Sequence, residues 1–321
     1  NTIVALERSG KLLNRIEGIF FNILEADGND ELDAIANEVS PMLSELSDDI
    51  ILNEQLFARV KTVYDQRDNM NLSAEDLRLL TETYRDFVES GANLSADKKE
   101  RLKEINQQLS LLSLQFGQNV VAETNAPQSQ VLITDESQLA GLPESAKAAA
   151  REEAEAAGKD GWLFSPKRTS FTPVLQYCRN RELRKALLMA YTTRANHDND
   201  NDNKGVINQT MRLRIEKAHL MGYDSPANYI LSDCMAKNSQ SVDELLQLVW
   251  KPSLAAAEKE AAALQQLMDT DLPGETLQPW DWWFYTEQLR QQKYALNEED
   301  LKPYFELSNV RKGVFRLAHD L

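Results

Sequence analysis

Apolar positions recur every three or four residues along most of this chain, the period of one face of an α-helix. From Leu102 they run through Ile105, Leu109, Leu112, Phe116 and Val120, drawing one stripe along a long helix. Just upstream Leu77, Leu80, Tyr84, Phe87 and Val88 do the same, with Ser73 placed as N-cap and Gly91 as a stop. The short link Ala92–Ser95 between these stripes predicts an antiparallel helical hairpin. Residues 2–26 and 30–70 read as three further helices, punctuated by Gly28 and Pro41.

Near residue 126 the pattern changes. Val131–Thr134 and Gly161–Phe164 are short β-prone runs. Between them Pro143 opens an alanine- and glutamate-rich helix that Gly158 closes, so a small strand pair flanking one helix is expected. Helical periodicity resumes over 171–195 and 204–221, the latter ending on Gly222. Ser241-Val-Asp-Glu244 reads as a capping box, and Pro252 should kink or restart the helix that follows. The fold class is therefore mostly α: an antiparallel bundle and hairpins, with a small β element near residues 128–165. Two regions are expected, a helical hairpin region over 1–125 and a helical region with the β insertion over 126–321.

Composition narrows the function. Lysine and arginine total 35 against 51 acids, a net charge of −16, whose field repels phosphate backbones and argues against nucleic acid as a partner. No apolar run is long enough to span a bilayer. Cys178 and Cys234 lie outside any CxxC spacing and read as two buried free thiols, with a disulfide as the alternative. The first residue is Asn1 rather than methionine, so a trimmed start is expected; the compartment stays open between cytoplasm and periplasm.

Metal chemistry has little to work with. The histidines are His197, His219 and His319; none precedes a glutamate and no two lie four apart, so H-E-x-x-H is absent. Glu216-Lys-Ala-His219 has the spacing of a di-iron helix, but the second copy is missing, which leaves His219 as a solvated or helix-capping residue. Asp198, Asp200 and Asp202 begin like a calcium loop. Asn203 and Gln209, however, occupy the positions that need glycine and glutamate, so a polar loop is expected. No nucleophile elbow, P-loop or dinucleotide fingerprint occurs.

The densest chemistry is Trp280-Asp-Trp-Trp-Phe-Tyr285. Aromatics at helical spacing are more often packing than binding, and Trp280, Trp283, Phe284, Leu289 and Leu296 would make a core-facing stripe. Asp281 stands out, because an acid amid tryptophans is costly to bury unless paired. Its bland role is helix N-terminal charge after Pro279; its functional role is orienting a group in a cleft. Tyr285, Tyr294 and Tyr304 carry hydroxyls able to meet a peptide backbone.

This segment, followed by Tyr294 and Leu301-Lys-Pro-Tyr-Phe305, resembles the thimet oligopeptidase and peptidyl-dipeptidase family of zinc metallopeptidases. Leu94–Asn106, Gly141-Leu-Pro143 with Gly161–Phe164, and Arg212–Tyr223 with Ala227-Asn-Tyr229 are similar to the family in the same order. The resemblance implies a helical, two-lobed peptidase with zinc in the far lobe, short peptides as substrates, and a glutamate that activates zinc-bound water. It implies that this chain is an N-terminal portion, without the catalytic lobe that would be its partner. No catalytic or metal residue, and no zinc, is then expected here. Asp281, Tyr285 and Tyr304 become candidates for the substrate channel. Apolar surface exposed between Trp280 and Leu321 would favour self-association. The alternative is a non-catalytic helical protein that binds peptides or serves as a scaffold.

Overall fold

The computed structural model describes residues 2–295 and 301–321; Leu296 and the acidic run 297–300 lie outside them. In chain order the helices are α1 (Thr2–Arg8), α2 (Lys11–Asp27), α3 (Asp30–Ile51), α4 (Glu54–Asp65), α5 (Ala74–Glu89) and α6 (Ala96–Asn125). After α6 come β1 (Val131–Ile133), α7 (Glu144–Ala156), β2 (Trp162–Phe164), α8 (Arg168–Tyr177) and α9 (Arg181–Thr192). The chain continues through α10 (Lys204–Leu220), α11 (Pro226–Leu231), α12 (Ser239–Asp271), α13 (Pro279–Tyr294) and α14 (Leu307–Asp320). The protein is mostly α, as its periodicity predicts.

Two compact units share this chain, and both are discontinuous. One is Asn1–Val120 with Asp198–Leu245; the other is Val121–His197 with Leu246–Leu321. In the first, Phe57 and Val60 of α4 meet Leu80 and Phe87 of α5, and Tyr64 stacks on Tyr84 with centroids 3.9 Å apart. The stripe of α6 finds its partner in α10, where Ile105 and Leu112 join Val206 and Leu213. Each such side chain, fully buried, contributes about 1.5–3 kcal/mol by leaving water.

In the second unit β1 and β2 pair antiparallel, Val131 opposite Phe164 and Ile133 opposite Trp162. Gly161 enters β2 at φ 121°, and a Cβ there would stand 2.3 Å from the Ile133 carbonyl, so only glycine fits. Leu139, Phe164, Phe171, Leu175 and Leu187 form the core beneath this ribbon. A second cluster, Leu264, Met268, Phe284 and Tyr285, joins α12 to α13. Helix α14 leaves Leu307, Val314, Phe315 and Leu317 exposed.

Four local expectations need correction. Pro41 does not end its helix and Pro252 does not restart one: α3 and α12 continue past them. The carbonyls these prolines leave without an amide belong to Asn37 and Leu248, both exposed, where water can take the lost bond. Ser241 lies inside α12, and the cap is Asn238, whose Oδ1 accepts from Ser241 N at 2.9 Å. The periodic stretch 171–195 is two helices, because Asn180 caps a new one by accepting from Leu183 N at 3.1 Å. Cys234 is exposed, whereas Cys178 is buried as expected.

Candidate functional site

Helix α13 starts on the run Gln278-Pro279-Trp280-Asp281. Proline suits the first turn because no intrahelical partner exists there for its missing N–H. Asp281, one turn in, accepts from Gln278 N at 3.1 Å through Oδ2. The same carboxylate takes two arginines from α9. Arg181 Nη2 donates to Oδ2 at 2.9 Å and Arg184 Nη2 to Oδ1 at 2.8 Å. Arg181 also reaches Glu275 at 2.8 Å, so two arginines meet two acids and the node is neutral.

Asp281 has no solvent exposure, and Arg184 has 1 %. Arg184 is satisfied on every side: Nη1 donates to Cys178 O at 2.7 Å and Nε to Trp280 O at 3.1 Å, with the Phe284 ring 4.4 Å away. Burial pushes the Asp281 carboxyl up, but hydrogen bonds from Arg181, Arg184 and Gln278 outweigh it and hold the group below the usual carboxylate range. The hydrogen bond to Asp281 in turn raises Arg181. This geometry pins the start of α13 to α9. It presents neither a nucleophile nor a proton held near neutral pH.

Beside the pinned helix, α12 and α13 enclose a groove. Ala261 and Ala262 floor a cavity of about 680 Å³ whose wall is Leu277, Pro279, Trp282 and Trp283. Across Trp282 a second hollow of about 380 Å³ is lined by Leu264, Leu289, Arg290 and Lys293. Trp283 is half-exposed and stacks towards Phe171, 6.2 Å between centroids. Glu260 lines the second hollow as well, and Arg290 there pairs with Glu287 at 2.8 Å.

Asp281 and Tyr285 sit one turn apart on α13, and both are buried; burial raises the Tyr285 phenol. Tyr304 lies elsewhere, on a 3-10 turn (Lys302–Tyr304), and is 78 % exposed. The three candidates are therefore two interior residues and one surface residue. Arg181 and Arg184 escape sequence reading. Their spacing of three puts them on one face of a helix, yet nothing in the sequence pairs them with an aspartate about a hundred positions on.

The histidines are dispersed. His219 is exposed in the last turn of α10, 3.3 Å from the Asp224 carbonyl. His319 lies in the last turn of α14. His197 meets Glu123, and the loop after it is tied internally, with Asp202 accepting from Asp198 N at 2.8 Å. Among the described residues no three histidine, cysteine, aspartate or glutamate side chains are placed to hold a metal, so they do not fit a zinc site. Nor is any helix among them long and apolar enough to cross a membrane.

Comparison with known proteins gives the site its context. Residues 174–321, which include α13 and both arginines, match peptidase family M3. All of the chain aligns with the dipeptidyl carboxypeptidase of Escherichia coli strain K12, at 37 % identity and over 47 % of that protein. Oligopeptidase A of Salmonella typhimurium strain LT2 is 33 % identical over 99 % of the chain and 47 % of its own length. A thimet-like oligopeptidase of Dictyostelium discoideum is 26 % identical over 100 % of the chain and 48 % of its own. The chain thus spans about half the length of the curated relatives it matches. The aromatic helix and the arginines that pin it lie inside the matched region, where the chain is similar to peptidase family M3.

Proposed function

We propose that this chain is the helical scaffold of a zinc-dependent peptidase that hydrolyses short oligopeptides and releases dipeptides from their C-terminal end. The observation that carries this reading is the alignment of every residue with a dipeptidyl carboxypeptidase at 37 % identity. In this reading zinc and the general base come from outside these 321 residues, whose three histidines do not converge. Asp281 and Tyr285 act by holding α13 in place, and Tyr304 is the exposed hydroxyl able to meet a peptide.

The test is direct. The purified chain is incubated with a peptide bearing a free C-terminus, with added zinc and with chelator, and the products are weighed by mass spectrometry. The reading expects no cleavage by this chain, and dipeptide release by the complete parent that stops when the peptide is amidated. Chelator-sensitive cleavage by the chain itself, absent from mock purifications, would sink the claim of inactivity. Internal cleavage by the parent would replace dipeptide release with oligopeptidase action.

A further inference from the structure

Helix α14 buries none of its residues. A 14-residue helix standing alone in water is marginal, and Gly313 in its middle weakens it further. Its apolar side chains are nevertheless ordered. Leu307, Val310, Val314 and Leu317 follow one another at steps of three, four and three, and Leu321 repeats the step of four just past the helix end. All five are exposed, Leu307 to 81 %. Down the axis they draw one narrow stripe, the a and d positions of two heptads, with Phe315 outside it. That is the seam of a coiled coil, narrower than the face a helix lays on a domain core.

The residues beside this stripe carry opposite charges. With Leu307 as an a position, Glu306 falls at g and Arg311 at e, on the two sides of the seam. In a parallel pair, g of one helix faces e of the next heptad on the other. Glu306 then meets Arg311 of a second copy, twice by symmetry. In an antiparallel pair g faces g, and Glu306 meets Asp320, a like charge. Glu306 is already fixed at the helix start, where its carboxylate accepts from Ser308 N at 3.3 Å and from Ser308 Oγ at 2.6 Å. Its remaining lone pairs are open to a guanidinium. Helix α2 has an exposed stripe of the same spacing, Leu12, Ile16, Ile19 and Ile23, but Leu13 and Phe20 flank it on one side and Arg15 and Asn22 on the other, with no opposite charges to pair.

We propose that α14 docks on α14 of a second copy of this chain, as a parallel two-stranded coiled coil whose orientation is set by Glu306–Arg311 pairs. The self-association expected from apolar surface near Leu321 thereby gains a definite surface, partner and direction. Val314 at a and Leu317 at d are the pairing of branched residues that two strands favour. Two heptads bury less than a standard interface, so the association is weak and follows concentration.

Sedimentation velocity of the whole chain over roughly 5 to 300 μM should show its mass rising from monomer towards dimer. Val314→Glu and Arg311→Glu should each weaken the association roughly tenfold or more, whereas Arg311→Lys and Ile16→Glu should leave it unchanged. None of these variants removes a core contact, because α14 and α2 bury no residue. Direction is read by disulfide trapping. With exposed Cys234 changed to Ser and Cys178 buried, Leu307→Cys should cross-link to its own copy across the first a layer. A monomer at every concentration would overturn the proposal. So would association that survives Val314→Glu, association lost in Ile16→Glu, or an associating Leu307→Cys chain that forms no cross-link.

Discussion

Each unit buries an aspartate, and the two fare in opposite ways. Asp281, in the second unit, is held below the usual carboxylate range, because the hydrogen bonds of two arginines and a backbone amide outweigh its burial. Asp48, on α3 in the first unit, is 7 % exposed and pushed up, because burial outweighs its hydrogen bond from Asn106 and the more distant charges of Lys217 and Lys103. Lys217 reaches it only through Asn106, in two bonds of 2.7 Å. Asp48 Oδ2 has no hydrogen-bond partner among the described residues. Burial is similar at the two sites, so the number of donors brought to the carboxylate sets the sign.

The largest effect should follow from breaking the better-paired site. Asp281→Ala leaves Arg184 buried without its counter-ion, a loss of about 3–5 kcal/mol. All five tryptophans, at 162, 250, 280, 282 and 283, belong to the second unit, so tryptophan fluorescence in urea reads that unit. At a slope of about 1–3 kcal/mol per molar, the midpoint should fall by more than about 1 M. The sign with pH follows from a depressed carboxylate: the stabilisation is present above the ordinary carboxylate range and is lost as pH falls below it. Wild type and Asp281→Ala should therefore converge in acid. A gap that persists there would show that packing, not charge, holds α13.

Part of this contrast can be read from the sequence. Trp280-Asp-Trp-Trp says that an acid among tryptophans must be paired if buried, and the structure supplies the pairs. It cannot say which cations, because Arg181 and Arg184 approach from α9 only once the chain has folded. The stripes of α5 and α6, the Ser73 cap and the β1–β2 ribbon are legible because each depends on near neighbours. Pro41 and Pro252 mislead as helix breaks because whether a helix continues past proline depends on whether the orphaned carbonyl meets water, which is a property of burial. His197 reads as the start of a polar loop, and its tie to Glu123, seventy-four positions back, has no local signature.

A smaller change tests how the two arginines are delivered. Asn180 caps α9, so Asn180→Ala should cost about 1 kcal/mol and lower the same fluorescence midpoint by less than Asp281→Ala does. Ser73→Ala removes the equivalent cap of α5 in the first unit, where Ser73 Oγ accepts from Asp76 N at 3.1 Å. Its similar loss should appear in far-ultraviolet circular dichroism and leave the tryptophan signal unchanged. A matching fluorescence shift from Ser73→Ala would mean that the units unfold together, and the comparison would have to be drawn on the whole chain.

The smallest effect should come from Asp48→Asn, although its target is as buried as Asp281. The amide keeps an acceptor for Asn106 and removes a charge that burial already disfavours, so the net change at pH 7 should stay within about 1 kcal/mol. Here the sign with pH is reversed. A raised carboxylate binds its proton more tightly in the folded state, so wild type gains stability as pH falls from neutral towards the ordinary carboxylate range, and Asp48→Asn does not. Melts followed by circular dichroism at pH 7 and pH 4.5 should show wild type gaining relative to the variant. A loss at pH 7 as large as that of Asp281→Ala would mean that Asp48 is held by charge after all, through Lys217, and that a single intervening asparagine transmits an ion pair as well as direct contact does.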